Sequence, residues 1–352
     1  MKGFIAPGFE AVADAFANAP RGGSALTVLH NGTPVLDVHE GWRDAAHTSP
    51  WDPQTLVNIY SVGKPVMAAA VLLLEQRGQL SLQAPTATYW PSFKAQASVR
   101  DLLSHLAALP AFPQPRPVEA WSDWDLLCAD LAAATPEWEP GTVAAEHALT
   151  YGHLLGELVR RVDGRPPAQF VAEEIATPLD LDLAFALDDE RISRCAELEF
   201  DSPDWPAQML GQPGSVHARA VSNPPGARDL AVINSPLWRA AAIPAVNIHA
   251  TSMAIARFYA AVMDGRLPAL AIPQHTGTDL FIEQEVTWGL GVQIEPDGTW
   301  GQGGLGGNAG WADPSRNLAI AYVTRHLGDF TAIDRIESAL HQAVPTAKET
   351  TN

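Results

Sequence analysis

The segments of this chain that alternate like strands lie at its two ends, and those with helical spacing lie between them. ALTVLHNGTPVLDVHEGW (25–42) alternates about His30-Asn31-Gly32, and Asn-Gly between β-rich runs is the strongest short hairpin signal. Far downstream, TWGLGVQIEPDGTWGQGG (287–304) carries an Asp-Gly turn at 297 and 298, and NLAIAYVTRH (317–326) reads as a buried strand. TAIDRIESALHQAV (331–344) reads as an amphipathic closing helix. The pattern predicts an α/β (α+β) fold, in which an antiparallel sheet built from both termini is flanked by helices and carries a mostly helical inserted lobe. The sheet region is expected over 1–80 and 245–345, the lobe over 81–244, and a frayed tail over 346–352.

Within the lobe, periodicity predicts helices over 98–109, 122–134 and 148–162, the last leaving at Gly164; beyond the lobe it predicts a further helix over 249–265 with Asn247 or Thr251 as its cap. The stretch 200–245 dissolves into Pro, Asp, Asn and Ser. Long irregular segments of this kind often line a cleft, although disorder gives the same composition.

Composition narrows the partners. Forty acidic residues stand against 22 basic ones, a formal charge of -18, which repels nucleic-acid and membrane phosphates alike. Cys128 and Cys195 are the only cysteines, without metal spacing or a disulfide framework. The eleven histidines show no zinc-helix spacing, so neither metal nor other cofactor is predicted. No segment has the length of apolar residues that crosses a bilayer, and the amino terminus does not read as a signal peptide. The expectation is a cytoplasmic protein acting on a small molecule, with the oligomeric state left open.

The chemistry concentrates at NIYSVGKPVMAAAVLLLEQRGQL (58–80). Proline lacks an amide hydrogen and is tolerated only in the first helical turn, so Pro65 pins Ser61 and Lys64 to the amino end of the helix predicted over 66–77. There, free N–H groups favour a developing oxyanion. Residues three apart share a face, so the Lys64 amine reaches back to the Ser61 hydroxyl. Lysine acts as a base only when neutral, which here means lowering its pKa from about 10.4 by burial. A Ser-x-x-Lys tetrad by itself is equally a capping serine beside a solvated lysine.

Context adds weight. In order along the chain, Ser61-Val62-Gly63-Lys64 is followed by LEQRGQLSLQAP (74–85), LLSHLAALP (102–110), WEPGT (138–142), HALTYGHLLGELVRRVDGRP (147–166) and GQGGLGGNAGWADP (301–314). This series resembles the serine β-lactamase-like hydrolases over nearly the whole chain, most closely the class C β-lactamase, carboxylesterase and transesterase branch. The resemblance implies an acylated Ser61, Lys64 as its partner, an oxyanion held by the amides of Ser61 and Leu305, and a small ester or, less readily, an amide or β-lactam as substrate. Gln302, Gly303 and Gly304 would border the substrate on a strand whose glycines let it come close.

Two positions depart from the family pattern. Glu146-His147-Ala148 occupies the place of the usual tyrosine triplet, and Gln302-Gly303-Gly304 replaces the usual histidine- or lysine-led third motif. Glu146 either takes up the Ser61 proton, or pairs with Lys64 so firmly that the protein is a catalytically silent binding homologue, or belongs to a misaligned motif. Tyr151 falls inside a helical repeat and is read as packing. His147 and Asn247 are candidate cleft residues, with a core imidazole and a helix cap as the competing readings, and His249 is another, with a solvated imidazole as its competing reading. His105 is read as structural support. Some of the tryptophans (Trp121, Trp124, Trp138, Trp205, Trp238, Trp300, Trp311) are expected to wall an acyl pocket and the rest to pack the core.

Overall fold

The computed structural model describes residues 1–18 and 22–345. The tail expected to fray, 346–352, lies outside the described residues. A nine-stranded antiparallel sheet runs in the spatial order Lys2–Ile5, Thr33–Gly41, Gly23–His30, Leu318–Thr324, Asn308–Asp313, Trp300–Gly304, Gln293–Ile294, Gln284–Trp288 and His275–Asp279. Its centre is the seam where Leu318–Thr324 pairs with Gly23–His30, from Leu318 opposite His30 to Thr324 opposite Ser24. The sheet is therefore assembled from both ends of the sequence. The Asn31-Gly32 hairpin forms as read, with φ of 51° and 73° at the two turn residues, the conformation of a type I′ turn.

Period-two alternation decides what covers each face. Leu318, Ile320 and Tyr322 point with Leu26 and Val28 into a cluster closed by Val12 and Phe16 of the helix Glu10–Ala17 and by Ile336 and Leu340 of the helix Thr331–Ala343. Ala319, Ala321 and Val323 face the other way, into the main core with Ile255 and Phe258 of the helix Ser252–Met263. Small alanines on that face let the helix lie close. Thr251 caps it, its Oγ1 accepting from the Ala254 amide at 3.1 Å, so of the two cap residues considered from sequence Thr251 is the one used.

The helix Lys64–Gln76 has ten buried residues, from Lys64 to Leu72 and then Leu74. A helix apolar around most of its circumference has to be central. It packs on Tyr151–Asp163, and the core continues from it into the inserted segment through Leu127, Leu154 and Phe170. Three short strands, Val57–Asn58, His249–Ala250 and Leu183–Ala184, tie the insertion to the run leading into Ser61.

Several boundaries differ from the sequence reading. The helix expected over 98–109 spans only Val99–Leu103, opened by a reciprocal Ser98–Asp101 capping box. It stops because His105 and Ala108 take left-handed backbone, with φ of 60° and 57°. The helix expected from 148 begins at Tyr151. Residues 200–245 are not helix-free: Trp205–Gln208, Val216–Ala220, Leu230–Ile233 and Pro236–Ala240 are single turns, the last three capped by Ser215, Asp229 and Ser235. Such turns are too short for a periodicity to be read.

Candidate active site

Ser61 sits in a 3-10 turn, Tyr60–Gly63, that feeds directly into the helix beginning at Lys64. Tyr60 holds the turn in a left-handed conformation, φ 49°, which costs a bulky residue on the order of 1–3 kcal/mol. Its hydroxyl donates to the Ala227 carbonyl at 3.1 Å. The strain aims the half-buried Ser61 into a cleft of about 380 Å³.

At the inner end of that cleft, Lys64 Nζ lies 2.5 Å from Ser61 Oγ and 2.9 Å from Glu146 Oε1. Lys64 is fully buried and Glu146 is 6% exposed. Burial pushes the Lys64 pKa down from its ordinary value; the charge of Glu146 and its hydrogen bond push it back up, without cancelling the burial. Ser61 and Glu146 share no hydrogen bond, so Lys64 stands between them. The direct Ser61–Glu146 contact that one of the routes open from sequence needs is not made; the contacts run through Lys64.

Gln302 Nε2 donates to Glu146 Oε1 at 3.4 Å. Gln302, Gly303, Gly304 and Leu305 all line the cleft. Gly304 is required by close approach: a Cβ there would stand 2.4 Å from the Ile59 carbonyl. This strand end is seated against the backbone that leads to Ser61, and the neighbouring Leu305 reaches the same cleft.

The loop carrying Glu146 is held from three sides. His105 Nδ1 accepts from the His147 amide at 3.1 Å, the His105 carbonyl accepts from the Ala145 amide at 3.1 Å, and Asp279 Oδ1 accepts from the Glu146 amide at 3.2 Å. Asp279 is fully buried; it also takes the Phe281 and Ile282 amides at 2.8 and 2.9 Å and Trp288 Nε1 at 2.9 Å. One carboxylate thus positions both Glu146 and the cleft wall at 281–282. Nothing local in the sequence marks Asp279 as a site residue, because its link to Glu146 spans 133 positions.

Two sequence candidates fall away from the cleft. His147 is fully buried, its Nε2 accepting from the Leu109 amide at 3.3 Å, and burial lowers its pKa to about 3; it is a core imidazole. Asn247 is also fully buried, accepting from the Ile243 amide at 3.0 Å and donating to the Trp238 and Ala241 carbonyls at 2.8 Å. It buttresses the loop instead of meeting substrate. His249 is likewise buried, against the Asn247 carbonyl. His105 is packed between Tyr151 and Trp288, and Tyr151 donates to the Leu103 carbonyl at 3.0 Å.

The aromatic walls are Tyr60, Phe281 and Phe330. No tryptophan lines the cleft; Trp121 and Trp238 are fully buried against each other in the core. The irregular stretch does reach the cleft, through Met209, His217, Val221, Ala227 and Arg228. Sequence reading located the segment but none of these residues. Among the described residues, no group of three or more metal-ligating side chains could hold an ion, and no helix is long and apolar enough to cross a membrane.

The chain as a whole has counterparts among known proteins. The chain is 31% identical to the esterase/beta-lactamase LipL of Mycobacterium tuberculosis, over 91% of this chain and 82% of that protein. A family VIII carboxylesterase superposes with a TM-score of 0.87 at 28% identity, over 97% of this chain and 99% of the other. A penicillin-binding protein homologue from Caulobacter crescentus does so with the same TM-score at 30% identity and the same coverage. With the beta-lactamase family model matching residues 9–343, the chain belongs to the beta-lactamase family, as a serine hydrolase.

Proposed function

We propose that this protein hydrolyses a small carboxylic ester through an acyl-Ser61 intermediate, with Lys64 and Glu146 handling the proton. The observation that carries this reading is the chain of contacts Ser61–Lys64–Glu146 at the cleft, 2.5 Å and 2.9 Å. Ser61 Oγ bonds to the ester carbonyl carbon while its proton passes to Lys64 Nζ, which hands a proton on to Glu146 Oε1. The carbonyl oxygen, now an anion, is held by the amides of Ser61 and Leu305. As the carbonyl re-forms and the C–O bond to the leaving group breaks, the alkoxide takes a proton from Lys64 Nζ, which recovers one from Glu146, so that both return to their starting states. Water then repeats the sequence and frees Ser61.

An alkoxide departs with less help from an acid than an amine does. That favours an ester over an amide or β-lactam in a site whose third motif offers the neutral Gln302. The cleft's apolar wall, with Leu149, Val246 and Phe330, suits an acyl chain. A cytoplasmic setting fits the composition and is part of the same proposal.

The Lys64–Glu146 pair also motivates a second reading, a silent homologue that binds without turnover, since an ion pair holding Lys64 charged removes the base. A serine-directed phosphonate with intact-mass readout decides between them. Stoichiometric labelling of the wild type, absent from Ser61→Ala, is the expected result; a folded wild type that stays unlabelled overturns the hydrolase reading.

A further inference from the structure

Apart from Lys64 at its inner end, Arg228 is the only lysine or arginine at the cleft among the described residues. Its Nη1 donates to the Met209 carbonyl at 2.7 Å and its Nη2 to the Val221 carbonyl at 3.4 Å, and no carboxylate pairs with it among the described residues. Burial disfavours the guanidinium charge, and the neighbour that offsets this is the Tyr60 phenol, with no acid contributing. The other titratable side chains of the cleft do not supply the missing charge: Glu146 is engaged by Lys64, and His217 shares the Met209 carbonyl with Arg228.

The position is also fixed relative to the chemistry. The Tyr60 hydroxyl holds the Ala227 carbonyl at 3.1 Å, so one hydrogen bond joins the residue before Ser61 to the residue before Arg228. A guanidinium has five donors in a planar fork matched to a carboxylate, and the two that bond to backbone leave others open. The usual cationic group of the third motif is absent here, since Gln302 is neutral, so Arg228 is the group on the cleft wall that could bind an anion.

Resting on the hydrolase reading, we infer that Arg228 is a specificity residue that binds a carboxylate carried by the substrate, so that the preferred esters are acidic. The carboxylate lies on either the acyl chain or the leaving group.

Binding tests this without turnover. In a Ser61→Ala background, titration calorimetry compares monomethyl adipate with dimethyl adipate, for an acyl carboxylate, and 4-acetoxybenzoate with methyl 4-acetoxybenzoate, for a leaving-group carboxylate. In one of the pairs the acid is expected to bind about tenfold or more tightly than its methyl ester. Adding Arg228→Gln collapses that ratio to within about twofold, and Arg228→Lys restores part of it. Because the ratio is internal, a general loss of cleft order does not imitate this result. The proposal is overturned if the neutral ester binds as well in both pairs, if the ratio survives Arg228→Gln, or if none of the four binds at millimolar concentration. Phosphonate labelling of the wild type judges the hydrolase reading separately, so failure of one does not pass for failure of the other.

Discussion

Lys64 and Glu146 meet at 2.9 Å with almost no access to water, and Lys64 is drawn in opposite directions: burial favours the free amine and the carboxylate favours the ammonium. Replacing Glu146 by Gln removes the second influence. The Lys64 pKa then falls further, and the rising limb of phosphonate labelling against pH moves to lower pH. If the carboxylate relays the proton, the plateau rate drops by about 100-fold at the same time. Glu146→Tyr, which restores the residue usual in the family, is likewise expected to slow ester turnover; a gain would show that Glu146 has no part in the relay.

Asp279 gathers four donors from three places: the Glu146 amide, the Phe281 and Ile282 amides, and the Trp288 indole. Asp279→Ala strands all of them in the interior and is expected to cost about 3 kcal/mol or more in urea unfolding. Asp279→Asn keeps an acceptor for the amides and sets an N–H against the indole. It should retain more stability yet still label Ser61 about tenfold more slowly than the wild type, because Glu146 is held less firmly.

Gly304 is a test of close approach. The added methyl of Gly304→Ala would meet the Ile59 carbonyl at 2.4 Å, pushing the strand and the Leu305 amide away from Ser61. Overpacking of this kind costs about 1–3 kcal/mol, and loss of one oxyanion donor slows acylation by about 100-fold. Measured kcat for a neutral ester should fall far more than the melting temperature suggests.

Buried histidines set the acid limit. His147, His153 and His249 are fully buried, and burial lowers each to about 3, from an ordinary value of 6.5. Between those values the unfolded chain binds more protons than the folded one, so stability rises with pH across that window and is lost as pH falls from about 6.5 toward 3. Each group contributes a slope of about 1.4 kcal/mol per pH unit. His153 has neither ring nitrogen hydrogen-bonded and stacks on Trp124 at 4.6 Å. Its replacement by Phe should therefore reduce the drop in urea midpoint between pH 7 and pH 5.

What the sequence made legible was local or periodic. Pro65 located Ser61 and Lys64 at a helix start, Asn31-Gly32 located the hairpin, and alternation in 317–326 located the central strand. Asn247 and His147 were misassigned because a polar residue in an apolar setting looks the same whether its partners are backbone groups or substrate. The short helix at Val99–Leu103 was overextended because LLSHLAAL keeps helical spacing after His105 has left helical backbone. Asp279 and Arg228 were missed for a shared reason: their meaning comes from groups remote in sequence. Asp279 lies 133 positions from Glu146, and Arg228 is tied to Ser61 only through its neighbour Ala227, whose carbonyl accepts from Tyr60 167 positions away.

The seam between Leu318–Thr324 and Gly23–His30 has a bearing on biosynthesis. The strand whose end abuts Ile59 comes from residues 300–304, so the nucleophile, though made early, stays without its opposing wall until most of the polypeptide has emerged from the ribosome. Long-range pairings of this kind close slowly. On the proposed mechanism, Ser61 reactivity is expected to be a late marker of maturation, and a nascent chain stalled before residue 300 should stay unlabelled by the phosphonate.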